Sequence, residues 1–320
     1  MKLNRRKNPI LFQGTKKKNH YFEGWYYKAV SNDEQTTIAL IPGISLYKKD
    51  THAFIQIFIS SKLPKETLKT AYVRFPYEDF SFQDYPFEIS IKDNSFSLEQ
   101  ITINIESDEL SLKGTLSIQQ VTPLNTSLYA PNIMGPFAYI PKMECSHGVI
   151  SMNHILSGSL SLNGQAINFE QAKGYIEKDW GTSFPKEYVW MQSNHFSDID
   201  TSLMFSYATI PFMKLSFNGL IAVLYHKQHE YRFSTYQLAK INKESLSELE
   251  AHYIIKQGKY TLEIHAQTTK GVLLPSPSMG EMKNKIKEGL SGTIALKLYH
   301  KKTLILEDTG THAGIEIMKK

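Results

Sequence analysis

The sequence predicts an all-β protein built from two antiparallel halves, each a barrel or a curled sheet. Short β-branched and aromatic runs alternate with polar residues along most of the chain, and turn dipeptides separate them at hairpin spacing. Helical tendency is confined to two short segments. The 320 residues suffice for two ordinary domains, and so many strands fit two barrels better than one.

Four hairpins are predicted from alternating runs on either side of a turn. Asn163-Gly164 is the strongest of these turns, because both residue types accept positive φ angles. The predicted strand pairs are 87–91 with 96–98, 160–162 with 166–169, 253–255 with 260–264, and 294–299 with 304–306. By contrast, residues 281–289 predict a short helix that ends at a glycine, and residues 243–251 are ambiguous between helix and strand.

The predicted domain organisation has three parts. A basic arm occupies residues 1–20, an N-terminal barrel residues 21–183, and a C-terminal barrel residues 184–320. The join is placed near residues 181–185, where Gly, Ser and Pro interrupt two strand-like runs.

Charge and composition limit the classes of partner. The net charge of +5 owes much to the basic residues before position 21. Such an arm can attract nucleic acid or anionic lipid, but no interleaved aromatic residues of an RNA-binding kind accompany it. A solvated chain end is the favoured interpretation, so no nucleic-acid partner is predicted.

Cysteine usage and hydropathy indicate the compartment. Cys145 is the only cysteine, which suits a reducing compartment, and a lone cysteine on a strand is more often a small core residue than a nucleophile. The basic start is not followed by the apolar stretch of a signal peptide, and no apolar window is long enough to span a bilayer. A cytoplasmic protein is expected, which an apolar substrate can bring to a membrane surface.

Metal and nucleotide sites are not predicted. The sequence has no phosphate-binding glycine loop after a strand and no HExxH or Cys/His cluster. His147 and His154 flank a strand-like run, but their odd separation places them on opposite faces and makes them poor joint ligands. No cofactor is therefore expected.

The three tryptophans fall in three chemically dense segments, at residues 22–28, 174–181 and 188–196. Each segment, as a strand, places alternate residues on one face. The predicted same-face sets are Glu23 with Trp25 and Tyr27, Glu177 with Asp179, and Tyr188 with Trp190, Gln192 and Asn194.

The carboxyl groups of these segments admit two interpretations. A carboxyl group beside a tryptophan on an inward face is a candidate proton donor, because burial disfavours its charged form. Alternatively, Glu177 and Asp179 face water or pair with Lys178 and Lys186 in a structural knot. The spacing alone leaves both open.

At these residues the sequence resembles the tocopherol cyclase family. The central match is specific: residues 177–181 read EKDWG, a Phe184-Pro185 step follows, and residues 190–194 read WMQSN. The family typically has Glu-Lys-Asn-Trp-Gly, Phe-Pro and Trp-Val-Gln-Cys-Asn there. Weaker matches are residues 22–26, 274–277 and 313–317, so the likeness runs from about Tyr21 to the end.

The sequence also departs from the plant members of that family. Asp179 stands where they tend to have Asn, and Ser193 where they tend to have Cys. Residues 143–153 read differently, and the short basic N-terminus has no plastid transit segment, as expected of a bacterial member.

The resemblance implies two calycin- or lipocalin-like barrels, related to carotenoid hydratases and lipocalin-like cyclases. It also implies closure of a chromanol ring from a prenylated hydroquinone without a redox cofactor. The alkene must receive a proton, and Glu177, Glu23 and Asp179 are the candidate acids. Asp179 is the harder case, because the family commonly has an asparagine at that position and an amide cannot act as a carboxylic acid. The predicted substrate-binding residues are Trp25, Tyr27, Trp180, Trp190, Gln192 and Asn194.

Tryptophan faces stabilise a developing cation, so the three tryptophans are expected around one cavity at or beside the junction of the halves. The alternative function is a lipocalin-type carrier of an apolar ligand, since a barrel interior suits both. A third hypothesis is a purely structural stress protein, which would have filled barrels. A buried carboxylate in the cavity discriminates, because a carrier gains nothing from its desolvation.

Overall fold

A computed structural model describes residues 4–62, 67–141, 143–212, 215–268 and 271–319. Strands dominate these ranges, and all strand pairs are antiparallel, which confirms the all-β prediction. The helical turns within them are four short 3-10 helices: Arg5–Lys7, Tyr77–Asp79, Gly135–Tyr139 and Thr235–Gln237. The first three residues of the predicted basic arm lie outside the described residues.

The first sheet has twelve strands. They are β1 (Tyr21–Val30), β2 (Thr36–Leu46), β3 (His52–Ser61), β4 (Thr67–Phe75), β5 (Phe80–Asp84), β6 (Phe87–Ile91), β7 (Asn94–Ser97), β8 (Gln100–Glu106), β9 (Ser111–Gln119), β10 (Cys145–Leu162), β11 (Gln165–Asn168) and β12 (Ala172–Gly181). Their order is β4-β3-β2-β1-β12-β10-β9-β8-β7-β6-β5, and β11 pairs with β10. Strand β12 therefore lies between β1 and β10, at the middle of the sheet.

The second sheet has ten strands. They are β13 (Tyr188–Ser193), β14 (Ser202–Phe212), β15 (Leu215–His226), β16 (His229–Ser234), β17 (Lys240–Leu246), β18 (Glu250–Gln257), β19 (Tyr260–Gln267), β20 (Val272–Ser278), β21 (Glu281–His300) and β22 (Thr303–Met318). Their order is β16-β15-β14-β13-β22-β21-β19-β18-β17, and β20 pairs with β21.

The chain divides into two compact units. The first comprises residues 1–184 and 275–284, and the second residues 185–274 and 285–320. Each unit has its own apolar core, and alternation along the strands supplies it. On β3, for example, Ile55, Ile57 and Ile59 belong to the core of the first unit, and on β18 Tyr253 and Ile255 belong to that of the second.

The second sheet curls so that its end strand β16 contacts β18 and β19, near the other end, through side chains. The Gln257 side chain on β18 donates to the carbonyl of Arg232 on β16 at 2.8 Å and accepts from the amide of Ser234 at 3.0 Å. The rings of Tyr231 and Tyr260 meet edge to face at 5.5 Å. Because β16 and β17 end the strand order, these contacts draw the two ends together. Closure of either sheet into a barrel stays a prediction.

The four predicted hairpins are confirmed. Leu162 pairs with Gln165 across Asn163 and Gly164, which both have positive φ angles, 51° and 84°. The other three pairs correspond to β6 with β7, β18 with β19, and β21 with β22.

The predicted helix at 281–289 is wrong, because these residues form the start of β21. Ile286, Glu288 and Leu290 are buried in a period of two, which continues as Ile294 and Leu296 in the core. The ambiguous segment 243–251 holds the end of β17, a turn and the start of β18. Within the described ranges, no helix is long and apolar enough to cross a membrane.

Gly174 on β12 makes room for a buried histidine. A Cβ atom at position 174 would lie 2.1 Å from Nε2 of His154, the cross-strand neighbour on β10. The His154 ring is buried, its Nδ1 lies 3.1 Å from the Ser151 hydroxyl, and burial lowers its pKa to about 3. The ring cannot move into solvent to relieve a clash.

We expect Gly174→Ala to destabilise the protein by about 1–3 kcal/mol through overpacking. The double variant with His154→Ala should lose less stability than the sum of the two single variants, because the clash is gone. Urea unfolding measures the stability of the single variants and of the double variant. Gly24→Ala is the matched control, since its Cβ would meet nothing closer than 3.5 Å. Equal losses at positions 24 and 174 would contradict the clash.

Candidate functional site

Strand β12 carries charged residues on both faces of the first sheet. Lys178 and Trp180 point to the core side, where Trp180 packs against the apolar cluster. Glu177 and Asp179 point to the opposite side. The two faces have different chemistry.

A carboxylate–imidazole cluster occupies the side opposite the core. His147 pairs with Asp179 across β10 and β12, and its Nδ1 lies 2.9 Å from Oδ1 of Asp179. The other ring nitrogen, Nε2, lies 3.4 Å from Oε2 of Glu177. The Tyr175 hydroxyl donates to the same Glu177 oxygen at 2.6 Å. We call Tyr175, His147, Glu177 and Asp179 the Glu177 cluster.

Burial and charge in this cluster act against each other on His147. Burial lowers the pKa of the imidazole, but the negative charges of Asp179 and Glu177, with the hydrogen bond to Asp179, raise it to about 10. Burial and the neighbouring Glu177 also raise the pKa of Tyr175 well above its usual value. At neutral pH the cluster thus holds an imidazolium between two carboxylates and a neutral phenol that donates to one of them.

The cluster is walled by uncharged neighbours. Tyr26 on β1 and Val149 on β10 are the cross-strand partners of Glu177, and both are buried. Cys145 lies 3.8 Å from Oδ1 of Asp179 through its sulfur, and burial and the nearby carboxylates raise the pKa of its thiol. That environment keeps the thiol protonated and unreactive.

The same residues offer ligand atoms for a metal. One atom each of His147, Glu177 and Asp179 lies within 4.8 Å of the others. However, each imidazole nitrogen already faces a carboxylate, so the imidazolium supplies the positive charge that a cation would bring. The absence of a bound metal stays a prediction.

The core side of β12 carries a second charged group, the Glu23–Lys178 ion pair. Both side chains are fully buried. Glu23 accepts hydrogen bonds from the amides of Gln13 at 2.8 Å and Gly14 at 2.9 Å, and from the Tyr21 hydroxyl. It is therefore saturated as an acceptor.

Lys178 ties the same N-terminal segment to the sheet. Its ammonium donates to the carbonyls of Pro9 at 2.8 Å and Leu11 at 2.5 Å. It lies 4.4 Å from the centroid of the Trp25 ring and 5.2 Å from that of Trp180. The cation beside these two tryptophans in the folded protein is thus the lysine.

The remaining predicted residues are distributed between the units. Tyr27 lies in the core of the first unit, and its hydroxyl donates to the Ser97 carbonyl at 3.3 Å. Trp190, Gln192 and Asn194 belong to the second unit, where all three are buried. The expected gathering of all three tryptophans around one cavity stays a prediction.

His147 is the site residue that sequence reasoning missed. Its position opposite Asp179 depends on the pairing of β10 with β12, and two bulges in β10 shift the register between Val149 and His154. A histidine on one strand and carboxylates on another can be recognised as one site only when the register between the two strands is known.

Comparison with known proteins identifies the family. A sequence profile described as "Tocopherol cyclase-like" matches residues 125–318, more than half of the chain. The chain belongs to the tocopherol cyclase-like family. A probable chloroplastic tocopherol cyclase of Oryza sativa subsp. japonica is 33% identical over 63 residues, 20% of this chain and 13% of that protein. The chloroplastic tocopherol cyclase of Zea mays is 32% identical over 62 residues, 19% and 13% of the respective chains.

The match to these two curated relatives therefore spans only a small part of their length.

Among solved structures, CghA is similar to this family member with a TM-score of 0.61 at 8% identity, covering 93% of this chain and 88% of CghA. A structure of CghA with Sch210972 gives a TM-score of 0.60 at the same identity and coverage. Kievitone hydratase from Nectria haematococca gives 0.54 at 10% identity, covering 97% and 93%. At such identities the likeness shows the fold alone.

We expect Lys178→Met to destabilise this family member by about 3–5 kcal/mol, because Glu23 is left buried without its counter-charge. The double variant Glu23→Gln/Lys178→Met should regain much of that loss. Urea unfolding of the two single variants and the double variant gives the coupling. Lys113→Met, which breaks the exposed Lys113–Glu106 pair, is the control and should change little. Additive losses at positions 23 and 178 would contradict the coupling.

His147 should make stability depend on pH in a defined window. Its pKa is raised from 6.5 to about 10 in the folded protein, so its stabilisation is complete below pH 6.5 and is lost as the pH rises towards 10. The free energy of unfolding should fall more steeply across this window in the wild type than in His147→Gln. His154 changes the pH dependence of the free energy of unfolding only below pH 6.5, because burial lowers its pKa to about 3. Parallel pH profiles would show that His147 is not held protonated.

Proposed function

We propose that this protein is a cofactor-free cyclase that protonates an alkene of a prenylated hydroquinone, or a similar isoprenoid, and lets the phenol oxygen capture the cation. The observation that carries this proposal is the buried imidazolium of His147 between Glu177 and Asp179. Membership of the tocopherol cyclase-like family supports a reaction of the cyclase or hydratase type.

The Glu177 cluster stores the proton that the alkene needs. Between the buried side chains of His147 and Glu177, the imidazolium–carboxylate pair and its neutral tautomer come closer in energy than in water, because burial disfavours both charges. Transfer of the proton from Nε2 of His147 to Glu177 makes a carboxylic acid. Asp179 holds the ring through Nδ1, and Tyr175 orients the Glu177 carboxyl group.

The proposed cycle balances without any other reactant. The Glu177 carboxyl proton adds to the less substituted alkene carbon, and a tertiary cation forms at the other carbon. The phenol oxygen bonds to that carbon and releases its proton, which returns to the cluster. If water reached the cation first, the product would be an alcohol, so exclusion of water separates cyclisation from hydration.

The contacts of Glu177 suit a proton donor better than those of Glu23. Glu23 already binds an ammonium group, two backbone amides and a tyrosine hydroxyl. Protonation of Glu23 would weaken all of these contacts and leave Lys178 buried beside a neutral group. Glu177 faces the His147 imidazolium, which holds a proton that can pass to the Glu177 carboxyl group.

A carrier of an apolar ligand is the alternative. The Glu177 cluster argues against it, because a carrier gains nothing from the desolvation of two carboxylates and an imidazole. We further propose that the curled sheets form lipocalin-like barrels. The substrate would then be met in the cytoplasm or at a membrane surface.

Glu177→Gln keeps the shape of the side chain and removes its proton, so we expect a loss of roughly 10²–10⁴-fold in cyclisation rate. The assay follows conversion of a prenylated hydroquinone to a chromanol in D₂O, where mass spectrometry should find one deuterium at the former alkene carbon. Glu99→Gln, an exposed change in the same unit, is the matched control and should keep full activity.

Full turnover by Glu177→Gln would exclude Glu177 as the acid. Binding of the hydroquinone without turnover by the unmodified protein would favour the carrier. Circular dichroism shows whether the variant folds; if it does not, His147→Gln tests the same relay and should lose the same activity.

A further inference from the structure

The second unit contains a cavity that the proposed reaction does not use. Its volume is about 340 Å³, and it opens where β13 and β14 approach β17 and β18. Val189 and Ala208 are buried in its wall, together with Tyr253 from the core. A volume of this size, at the mouth of a curled sheet, is typical of a small-molecule site.

Two tyrosine rings form an aromatic corner in this cavity. Tyr207 on β14 and Tyr253 on β18 stand at 72° to each other, with ring centroids 5.9 Å apart. Burial raises the pKa of both phenols, so both stay neutral over the physiological range. Tyr253 is fully buried, so a cation placed in the corner meets the half-buried Tyr207 ring, whose electron-rich face attracts it.

A carboxylate is held next to that corner. The Tyr253 hydroxyl donates to Oε1 of Glu244 at 3.3 Å, which fixes one carboxylate oxygen. Glu187 also lines the cavity, and Lys319 is the single lysine among its lining residues. Two carboxylates against one ammonium give the cavity a net negative charge although the whole chain carries +5.

We propose that this cavity binds a small organic cation, with its ammonium group between Glu244 and the Tyr207 ring and its apolar body against Val189, Ala208 and Leu246. An anion is repelled by the two carboxylates. A neutral molecule of the same shape gains the apolar contacts but neither the ion pair nor the cation–π contact. This site lies apart from the Glu177 cluster along the chain, and its occupancy does not depend on the proposed cyclase activity.

Three probes of equal size but different charge test the proposal: phenethylammonium, 2-phenylethanol and phenylacetate. Calorimetric titration of the full chain at pH 7 and low salt should show saturable binding of phenethylammonium, about tenfold weaker binding of the alcohol, and none of phenylacetate. Raising the salt concentration should weaken only the binding of the cation.

Variants of the lining locate the probe. Glu244→Gln should reduce the affinity for phenethylammonium about two- to fivefold and leave that for 2-phenylethanol unchanged. Glu248→Gln, an exposed change just beyond β17 that does not line the cavity, is the control and should bind as the unmodified protein does. Tyr207→Leu should weaken the binding of phenethylammonium more than the binding of 2-phenylethanol.

Equal affinities for the ammonium and the alcohol would overturn the proposal, as would unchanged binding in Glu244→Gln or the absence of saturable phenethylammonium binding at millimolar concentrations. Failure of cyclisation in the earlier assay would leave this result unaffected, because the two experiments measure different units.

Discussion

The buried ion pair between Glu23 and Lys178 is the interaction on which the arrangement of the first unit depends. It joins β1 to β12 at the middle of the sheet and fastens the chain before β1 across the core. Two charges without water are costly, and their mutual attraction alone seldom offsets the loss of hydration. Here two backbone amides and two carbonyls complete the shell of the pair, so backbone groups that would otherwise be unsatisfied stabilise it.

The alternation of β12 separates the charge of this ion pair from the charge of the Glu177 cluster. Neighbouring residues of a strand point to opposite faces, so Lys178 cannot pair with Glu177 or Asp179 on either side of it. The lysine neutralises Glu23 on the core side, and the two β12 carboxylates must find another cation on theirs. His147 provides it from β10. A histidine, unlike a lysine, can release its proton near neutrality once the negative charge beside it changes.

The sequence was sufficient for the elements that local rules decide. Hairpins with strong turn dipeptides and same-face sets of alternate residues depend on neighbours in the chain, and the structure reproduces them. Prediction from the sequence failed where contacts between residues far apart in the chain decide the structure. Residues 281–289 follow the period of β21 because their partners lie in the second sheet, and the local helical tendency yields to that pairing. The partner of Lys178 could not be read from spacing, because it comes from β1, about 155 residues earlier in the chain.

The candidate site shows the same division between local and distant information. Glu177 and Asp179 are recognisable from the sequence as a same-face pair. The spacing of His147 from His154 argues only against a shared metal site, and the sequence does not reveal how His147 lies relative to β12. The register of β10 against β12 decides that relation, because it places His147 opposite Asp179.

Asp179 acquires a physical meaning only in this context. An amide at that position would accept the same hydrogen bond from Nδ1 of His147, but it would add no charge. A carboxylate keeps the imidazole protonated against the cost of its burial. In the proposed mechanism, the charge of Asp179 holds the proton on His147 and positions its ring, and this proton is the one that passes to Glu177.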